Sequence, residues 1–360
     1  MALTTSTTVH LATLPNGITV ITDSVPYVES ITLGIQINAG SRDDPAHAAG
    51  LAHFMEHALF KGTRTRSYLD IARSVEQHGG YLDAYTTKEQ TCVYLRCLAA
   101  HLEPSFELLA DLVSNPTFPP EEMEKEKEVV LEEISSINDT PEELICEEFD
   151  QRSFPNHPIG NPILGTEKSV EAFSQNDLHL FLQQHYIPQK MVVTATGNVS
   201  HHAIMQLCER FLSHLANPAE STETRQPLSV ATYKPFSLTL KKRIYQAQIV
   251  MGTAIERNDR HFYSLMVLNT LLGSGMSSLL NLELREKRGL AYNVYSSLAF
   301  FDDLTALNIY AGTDGNKVAT TLSLIKELLQ SDALHHPIHE ELQAAKTKLL
   351  GSHLMQNEGP

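Results

Sequence analysis

What most constrains the fold of this 360-residue chain is that one order of predicted elements occurs twice. In the first pass, residues 11–22 alternate around a Pro15-Asn16-Gly17 turn, and residues 31–39 (ITLGIQINA) read as a clean strand. Residues 50–60 are an apolar run suited to a buried helix, and two strands follow at 81–87 and 91–98. Helices come next at 102–113 and, highly charged, at 119–137, with an acid-rich continuation at 141–150. After about 220 residues the order returns. Strands are expected at 236–240 and 246–253, a helix at 261–272, paired strands at 292–300 and 305–312, and helices at 317–330 and 338–355. This pattern implies an α+β fold of two structurally repeated domains, each a mostly antiparallel sheet packed with helices. Residues 216–233 are polar, hold two prolines and lack a period, so they read as the linker between a domain at 1–215 and one at 234–360. The first copy continues with a strand at 191–197 and a helix at 201–214. Nothing comparable follows residue 355, so the second domain is expected to be incomplete.

The two copies differ in chemistry. The first helix carries His53, Glu56 and His57, an H-x-x-E-H pattern inside Gly50-Leu51-Ala52-His53-Phe54-Met55-Glu56-His57-Ala58-Leu59-Phe60. Residues four apart share a helix face, so the two imidazoles lie one turn apart with Glu56 leaning over the same side. With 17 histidines in the chain, a satisfied core histidine is the bland alternative. Three titratable groups on a buried face cost several kcal/mol unless something pairs them, however, and a metal supplies that pairing. Two imidazoles and a third ligand from elsewhere leave a tetrahedral zinc one open position for water. The order is the reverse of H-E-x-x-H, the inverted-zincin arrangement, in which the intervening Glu is a general base and not a ligand. The corresponding helix of the second copy has only His261.

Composition narrows the class further. A formal charge of −16 with no basic patch argues against nucleic acid and suits basic or neutral peptides. Cys92, Cys97, Cys146 and Cys208 form no zinc spacing and read as reduced core thiols of a cytoplasmic protein. No apolar run reaches the length of a membrane span, and residues 1–10 lack the basic and apolar regions of a secretory signal.

The third ligand is sought on the charged helix, where Glu121, Glu122, Glu124, Glu126, Glu128, Glu132 and Glu133 offer carboxylates. Val129, Val130, Leu131 and Ile134 mark its expected buried side. Glu126 and Glu133 are two turns apart and share a face. Chemistry alone does not choose between Glu132 and Glu133.

Several stretches together resemble the pitrilysin–insulysin family of zinc peptidases. They are the Gly50–His57 motif, Lys61-Gly62-Thr63, His78-Gly79-Gly80, Ala84-Tyr85-Thr86-Thr87-Lys88-Glu89, the run from Glu126 to Ile134, His157-Pro158-Ile159-Gly160 and Leu164-Gly165-Thr166-Glu167. The resemblance is nearest to the half-length branch that includes mitochondrial processing peptidase beta subunits and their bacterial relatives. It implies Glu133 as third ligand, 76 residues past His57, and Glu126 as a supporting glutamate. Leu284-Arg285-Glu286-Lys287-Arg288-Gly289-Leu290-Ala291-Tyr292 resembles the family's substrate-holding segment, which implies that role for Arg285 and Tyr292. Asp83 stands where many relatives have Asn. By the repeat, the chain ends about 50 residues short of the family's usual length.

The expected function is therefore a zinc-dependent endopeptidase with one zinc per chain, held by His53, His57 and Glu133, with Glu56 activating water and Glu126 acting behind the ligands. Its substrate is an extended peptide or small unfolded polypeptide lying along the strand near 84–91. Family members enclose substrate between two halves of two such domains each, which implies a homodimer or a heterodimer with a related chain. The rival reading is a non-catalytic or partner subunit. The presence of all four motif residues favours the enzyme, and an incomplete second domain favours the rival. A purely structural zinc is disfavoured, because no fourth Cys or His is placed to close the site.

Overall fold

The computed structural model describes residues 9–217 and 225–356. They fall into two compact units. One holds the described residues up to Ser135 together with 161–217 and Arg225, and the other holds Ser136–Gly160 and the residues from Gln226 onward.

The first unit is built on a six-stranded sheet. Strands β1 (Val9–Thr13) and β2 (Thr19–Ser24) form a hairpin about the Pro15-Asn16-Gly17 turn, and β3 (Ser30–Ile37) follows. Helices α1 (Leu51–Leu59) and α2 (Tyr68–Glu76) precede the hairpin of β4 (Tyr81–Thr86) and β5 (Thr91–Leu98). Next come α3 (Leu102–Ser114) and α4 (Pro120–Asp139), and then α5 (Pro141–Ser153) of the other unit. The first unit resumes with α6 (Glu167–Ala172), α7 (Gln175–His185), β6 (Met191–Gly197) and α8 (His201–Leu212). The strand order is β1-β2-β6-β3-β5-β4, antiparallel except for the parallel pair β2–β6.

Alternation along β3 explains the layering. Ile31, Leu33, Ile35 and Ile37 are fully buried and meet Phe54, Met55 and Leu59 of α1 and Phe106 and Leu109 of α3 in one core. Each such side chain contributes roughly 1.5–3 kcal/mol by leaving water. The helices therefore cover one face of the sheet. Thr32, Gln36, Tyr94 and Arg96 alternate onto the other face.

The second unit holds β7 (Ala247–Glu256), α9 (Phe262–Leu272), a π-helical turn (Asn281–Glu286), β8 (Ala291–Phe300), β9 (Leu304–Thr313), α10 (Val318–Leu329), the short α11 (Asp332–His335) and α12 (His339–Gln356). Its antiparallel order, β7-β9-β8, reproduces β3-β5-β4 of the first sheet. The repeat read from the sequence is thus present as two like-ordered sheets.

The sequence reading and the structure part at three places. Residues 236–240 are not a strand. In the first sheet the corresponding β2 is held by β1 and β6, whereas among the described residues β7 pairs only with β9, so this stretch has no ladder to join. Helices α6 and α7 have no counterpart among the elements expected from the sequence, although Thr166 and Ser174 each form a capping box at the start of one. The division expected at 216–233 also meets a different partition. Residues 136–160 pack with the second unit, where the Phe149 ring lies over Gly252 of β7 and against Phe236, and Glu142 of α5 accepts a hydrogen bond from Tyr295 (2.9 Å). Of the expected linker, residues 218–224 lie outside the described residues. Arg225 belongs to the first unit through ion pairs to Asp43 (2.8 Å) and Glu89 (3.6 Å).

Candidate metal centre

The site begins with how α1 starts. Gly50, its N-cap, sits at φ 93°, and a Cβ there would stand 2.4 Å from the carbonyl oxygen of Leu164. Gly165 opposite is also in the left-handed region, at φ 78°, and a Cβ on it would meet the Ala49 oxygen at 2.1 Å. Only two glycines allow these backbones to touch. The side chain that satisfies the helix's first N–H groups is Asp44, which accepts from Gly50 N (2.7 Å) and Ala52 N (2.8 Å). Burial raises the Asp44 carboxyl well above the usual range against those hydrogen bonds.

Fixed in this way, α1 buries Phe54, Met55 and Leu59 in the core and presents His53, Glu56 and His57 on its remaining face. The imidazole rings lie 4.7 Å apart. Glu133 of α4 faces both, with Oε2 at 3.8 Å from His53 Nε2 and 3.8 Å from His57 Nε2. Among the described residues, these three form the cluster able to hold a metal, their ligand atoms all within 4.8 Å of one another.

The residues fit a zinc ion. Glu133 Oε2 is buried and has no hydrogen-bond partner, a costly state for a carboxylate oxygen unless a cation meets it. Tetrahedral coordination with bonds of about 2.1 Å needs ligand atoms about 3.4 Å apart, near the 3.8 Å found. Protonation separates the two imidazoles. Burial, then the neighbouring His57, pushes His53 down to about 4, so its ring is neutral at neutral pH. Burial pulls His57 down too, but the hydrogen bond to Glu126 and the Glu133 and Glu56 carboxylates outweigh it and the net shift is upward.

Glu126 contacts His57 Nδ1 at 3.0 Å, which fixes the tautomer and leaves Nε2 for the centre. Burial raises the Glu126 carboxyl, but His57 and Lys61 Nζ, at 2.5 Å, more than reverse this and hold it below its usual range. Glu56 is raised by burial, and the hydroxyl of Thr86 on β4, which donates to Glu56 Oε2, opposes that rise. The β4–β5 hairpin carrying Thr86 is anchored at its turn by the buried Arg42–Glu89 ion pair.

Lys61 and Thr86 enter the sequence reading only within the stretches that carry the resemblance, without a role of their own, and Asp44 does not enter it. Their signal was positional only, since Lys61 follows His57 by four residues and Thr86 alternates onto the helix side of β4. The choice between Glu132 and Glu133 follows from the buried face of α4. Met123, Glu126 and Val130 are the buried residues of α4, and steps of three and four continue that stripe to Glu133. Val129, expected on the buried side, is exposed. In the second unit, the Arg285 guanidinium stands 5.9 Å from the Tyr292 ring centroid, both side chains open to solvent. The structure thus brings that pair together.

With this geometry in view, known proteins place the chain. A family model described as insulinase, peptidase family M16, matches residues 19–167, and one described as the peptidase M16 inactive domain matches 172–349. An uncharacterized zinc protease of Mycobacterium leprae is 41% identical over 342 residues, which span 94% of this chain and 77% of the relative. The uncharacterized zinc protease YmxG of Bacillus subtilis is 34% identical over 347 residues, 96% of this chain and 84% of the relative. Among solved structures, a protease from Helicobacter pylori has the same fold, with a TM-score of 0.90 at 22% identity over 98% of this chain and 86% of its own. A peptidase M16 inactive domain from Pseudomonas fluorescens gives 0.88 at 24% identity, over 96% and 84%. The chain belongs to the insulinase (M16) peptidase family, in keeping with the resemblance read from its motifs. No helix among the described residues is long and apolar enough to cross a membrane.

Proposed function

We propose that this protein is a zinc-dependent endopeptidase that cleaves extended peptides or small unfolded polypeptides, with one zinc per chain. The carrying observation is the convergence of His53 Nε2, His57 Nε2 and the partnerless Glu133 Oε2, with Glu56 beside them on α1. A zinc ion held there supplies electrophilic polarisation of a peptide carbonyl and lowers the pKa of a water toward neutrality. Glu56, with Oε2 engaged by Thr86, takes the proton of the attacking water on Oε1 and hands it to the amine that leaves. Its burial, by raising the carboxyl, brings it closer to the range a general base and acid needs. Glu126 keeps His57 in the ligating tautomer, and Lys61 compensates the Glu126 charge. The chain names of its relatives, zinc proteases, support the same reading.

β4 ends its sheet, so its outer edge is the place for an extended peptide to add as a further strand, with the Ala84 N–H, which donates to Asp83 Oδ1 (2.9 Å), the group it would have to share. Arg285 and Tyr292 are read as the substrate-holding pair. The working assembly is read as a dimer, of this chain with itself or with a related one, in the cytoplasm.

The test pairs zinc content with cleavage of an unstructured basic peptide, for wild type and Glu56→Gln. One zinc per chain in both proteins, with cleavage lost by about 10²–10⁴-fold in the variant, is the expected result. Zinc in both but cleavage in neither favours the non-catalytic or partner-subunit role. Wild type without zinc ends the metallopeptidase reading.

A further inference from the structure

Beside the metal centre, but on the opposite face of the same edge strand, lies a group of side chains that the proposed chemistry does not use. Along β4, Leu82 and Ala84 pack into the core and Thr86 reaches Glu56, so Tyr81, Asp83 and Tyr85 point to the face that the helices leave open. Tyr94 on β5 pairs directly with Asp83. The Asp83 Oδ2 atom accepts hydrogen bonds from the Tyr81 hydroxyl (2.6 Å) and the Tyr94 hydroxyl (3.2 Å). The Tyr81 and Tyr85 rings each lie 6.2 Å from the Tyr94 ring, tilted by 53° and 55°. Both flanking tyrosines are about half exposed, Tyr81 at 55% and Tyr85 at 46%.

This is an anion in an aromatic cup without a cation. The Tyr81 hydrogen bond holds the Asp83 carboxyl below its usual range, so the charge is present at neutral pH. Among the described residues no lysine or arginine forms an ion pair with it. Carboxylate and aromatic faces attract the same guest, a lysine ammonium or an arginine guanidinium.

We propose that Asp83, cupped by Tyr81, Tyr85 and Tyr94, is a subsite for a lysine or arginine side chain of the bound peptide. The proposal rests on the peptidase reading above and on pairing of the peptide with β4. In such pairing the residue opposite Asp83 projects on the same face, about 4.5–5.5 Å away between Cβ atoms. It lies three positions along the peptide from the residue opposite Thr86, which stands at the Glu56 carboxylate. The basic preference is therefore confined to one position, a fixed distance from the cleaved bond, and is not a general taste for positive charge.

The experiment uses the zinc-loaded full chain and a set of peptides in which one arginine, or its neutral isostere citrulline, is moved along a fixed sequence. The ratio of kcat/KM for each pair is measured for wild type, Asp83→Asn and Asp83→Lys. The expected result is a preference for arginine of about five- to tenfold at one position. It falls to within about twofold in Asp83→Asn, which keeps the side-chain shape and removes the charge, and turns to a preference for citrulline over arginine at that position in Asp83→Lys. Cleavage with no position favouring arginine, or a preference that survives Asp83→Asn, overturns the subsite and leaves Asp83 a charge that protects a sheet edge. Failure of zinc-loaded wild type to cut or bind any of the peptides overturns the peptidase reading and the subsite with it.

Discussion

The first helix of each copy sits in the same place in a like-ordered sheet, and the two could hardly be less alike chemically. Helix α1 follows β3 and carries His53, Glu56 and His57. Helix α9 follows β7 and reads FYSLMVLNTLL, without an ionisable group other than Tyr263, its one histidine left behind at the N-cap. The partner groups differ in the same sense. Around α1, Glu126, Glu133 and Thr86 converge from α4 and β4. Around α9, Asn269 accepts from Ser296 of β8 at 2.6 Å and the polar contact is closed. One topology thus serves once as scaffold for a partnerless carboxylate oxygen and once as a satisfied structural body. The fold supplies the place, and a few side chains supply the chemistry.

Three changes test this contrast, taken from the largest expected effect. Replacing Glu126 by Gln removes the acceptor charge behind His57, and zinc affinity is expected to fall by about 10–100-fold in a chelator competition. An unchanged affinity would place Glu126 outside the metal site. Next, Thr86→Val takes one hydroxyl from Glu56 without changing side-chain shape. A hydrogen bond to a charged group is worth roughly 1.5–3 kcal/mol, so kcat should fall about tenfold or more with zinc content and KM little moved. Thr86→Ser should restore the rate, and a valine variant as fast as wild type would show that Glu56 needs no such support.

The smallest effect is expected in the second copy. Tyr295→Phe deletes the hydrogen bond to Glu142, costs about 1 kcal/mol of stability and leaves zinc content as it was. Burial, together with the Glu142 carboxylate, raises the Tyr295 hydroxyl above its ordinary value. A raised folded-state pKa means that its stabilisation is complete below the unfolded value, about 10, and is lost as pH rises toward the folded one. The variant should therefore show a shallower alkaline loss of thermal stability. A loss of zinc in Tyr295→Phe would break the contrast between the copies.

Most of the first unit was legible in the sequence because its signals are local. Period-two alternation marks β3 and β5, and His53, Glu56 and His57 share a helix face by spacing alone. Helices α6 and α7 were missed despite Thr166 and Ser174, since α6 is only six residues long and α7 is weakly amphipathic. The strand expected at 236–240 shows the converse. Phe236, Leu238 and Leu240 alternate as a strand should, yet they stay exposed. A ladder needs a neighbouring strand, and no local pattern records whether one is there.

By itself, the sequence determined the doubled α+β order, the imidazole pair on α1 and a pool of carboxylates on α4, because helix and strand periods are properties of neighbouring residues. Tertiary structure alone decided the rest. It brought Glu133 Oε2 to both imidazoles, set Glu126 behind His57 and Thr86 against Glu56, packed residues 136–160 with the second unit, and joined Tyr94 of β5 to Tyr81 and Asp83 of β4. Each of these joins groups from different elements, and such distances follow from packing the whole core and not from spacing along the chain.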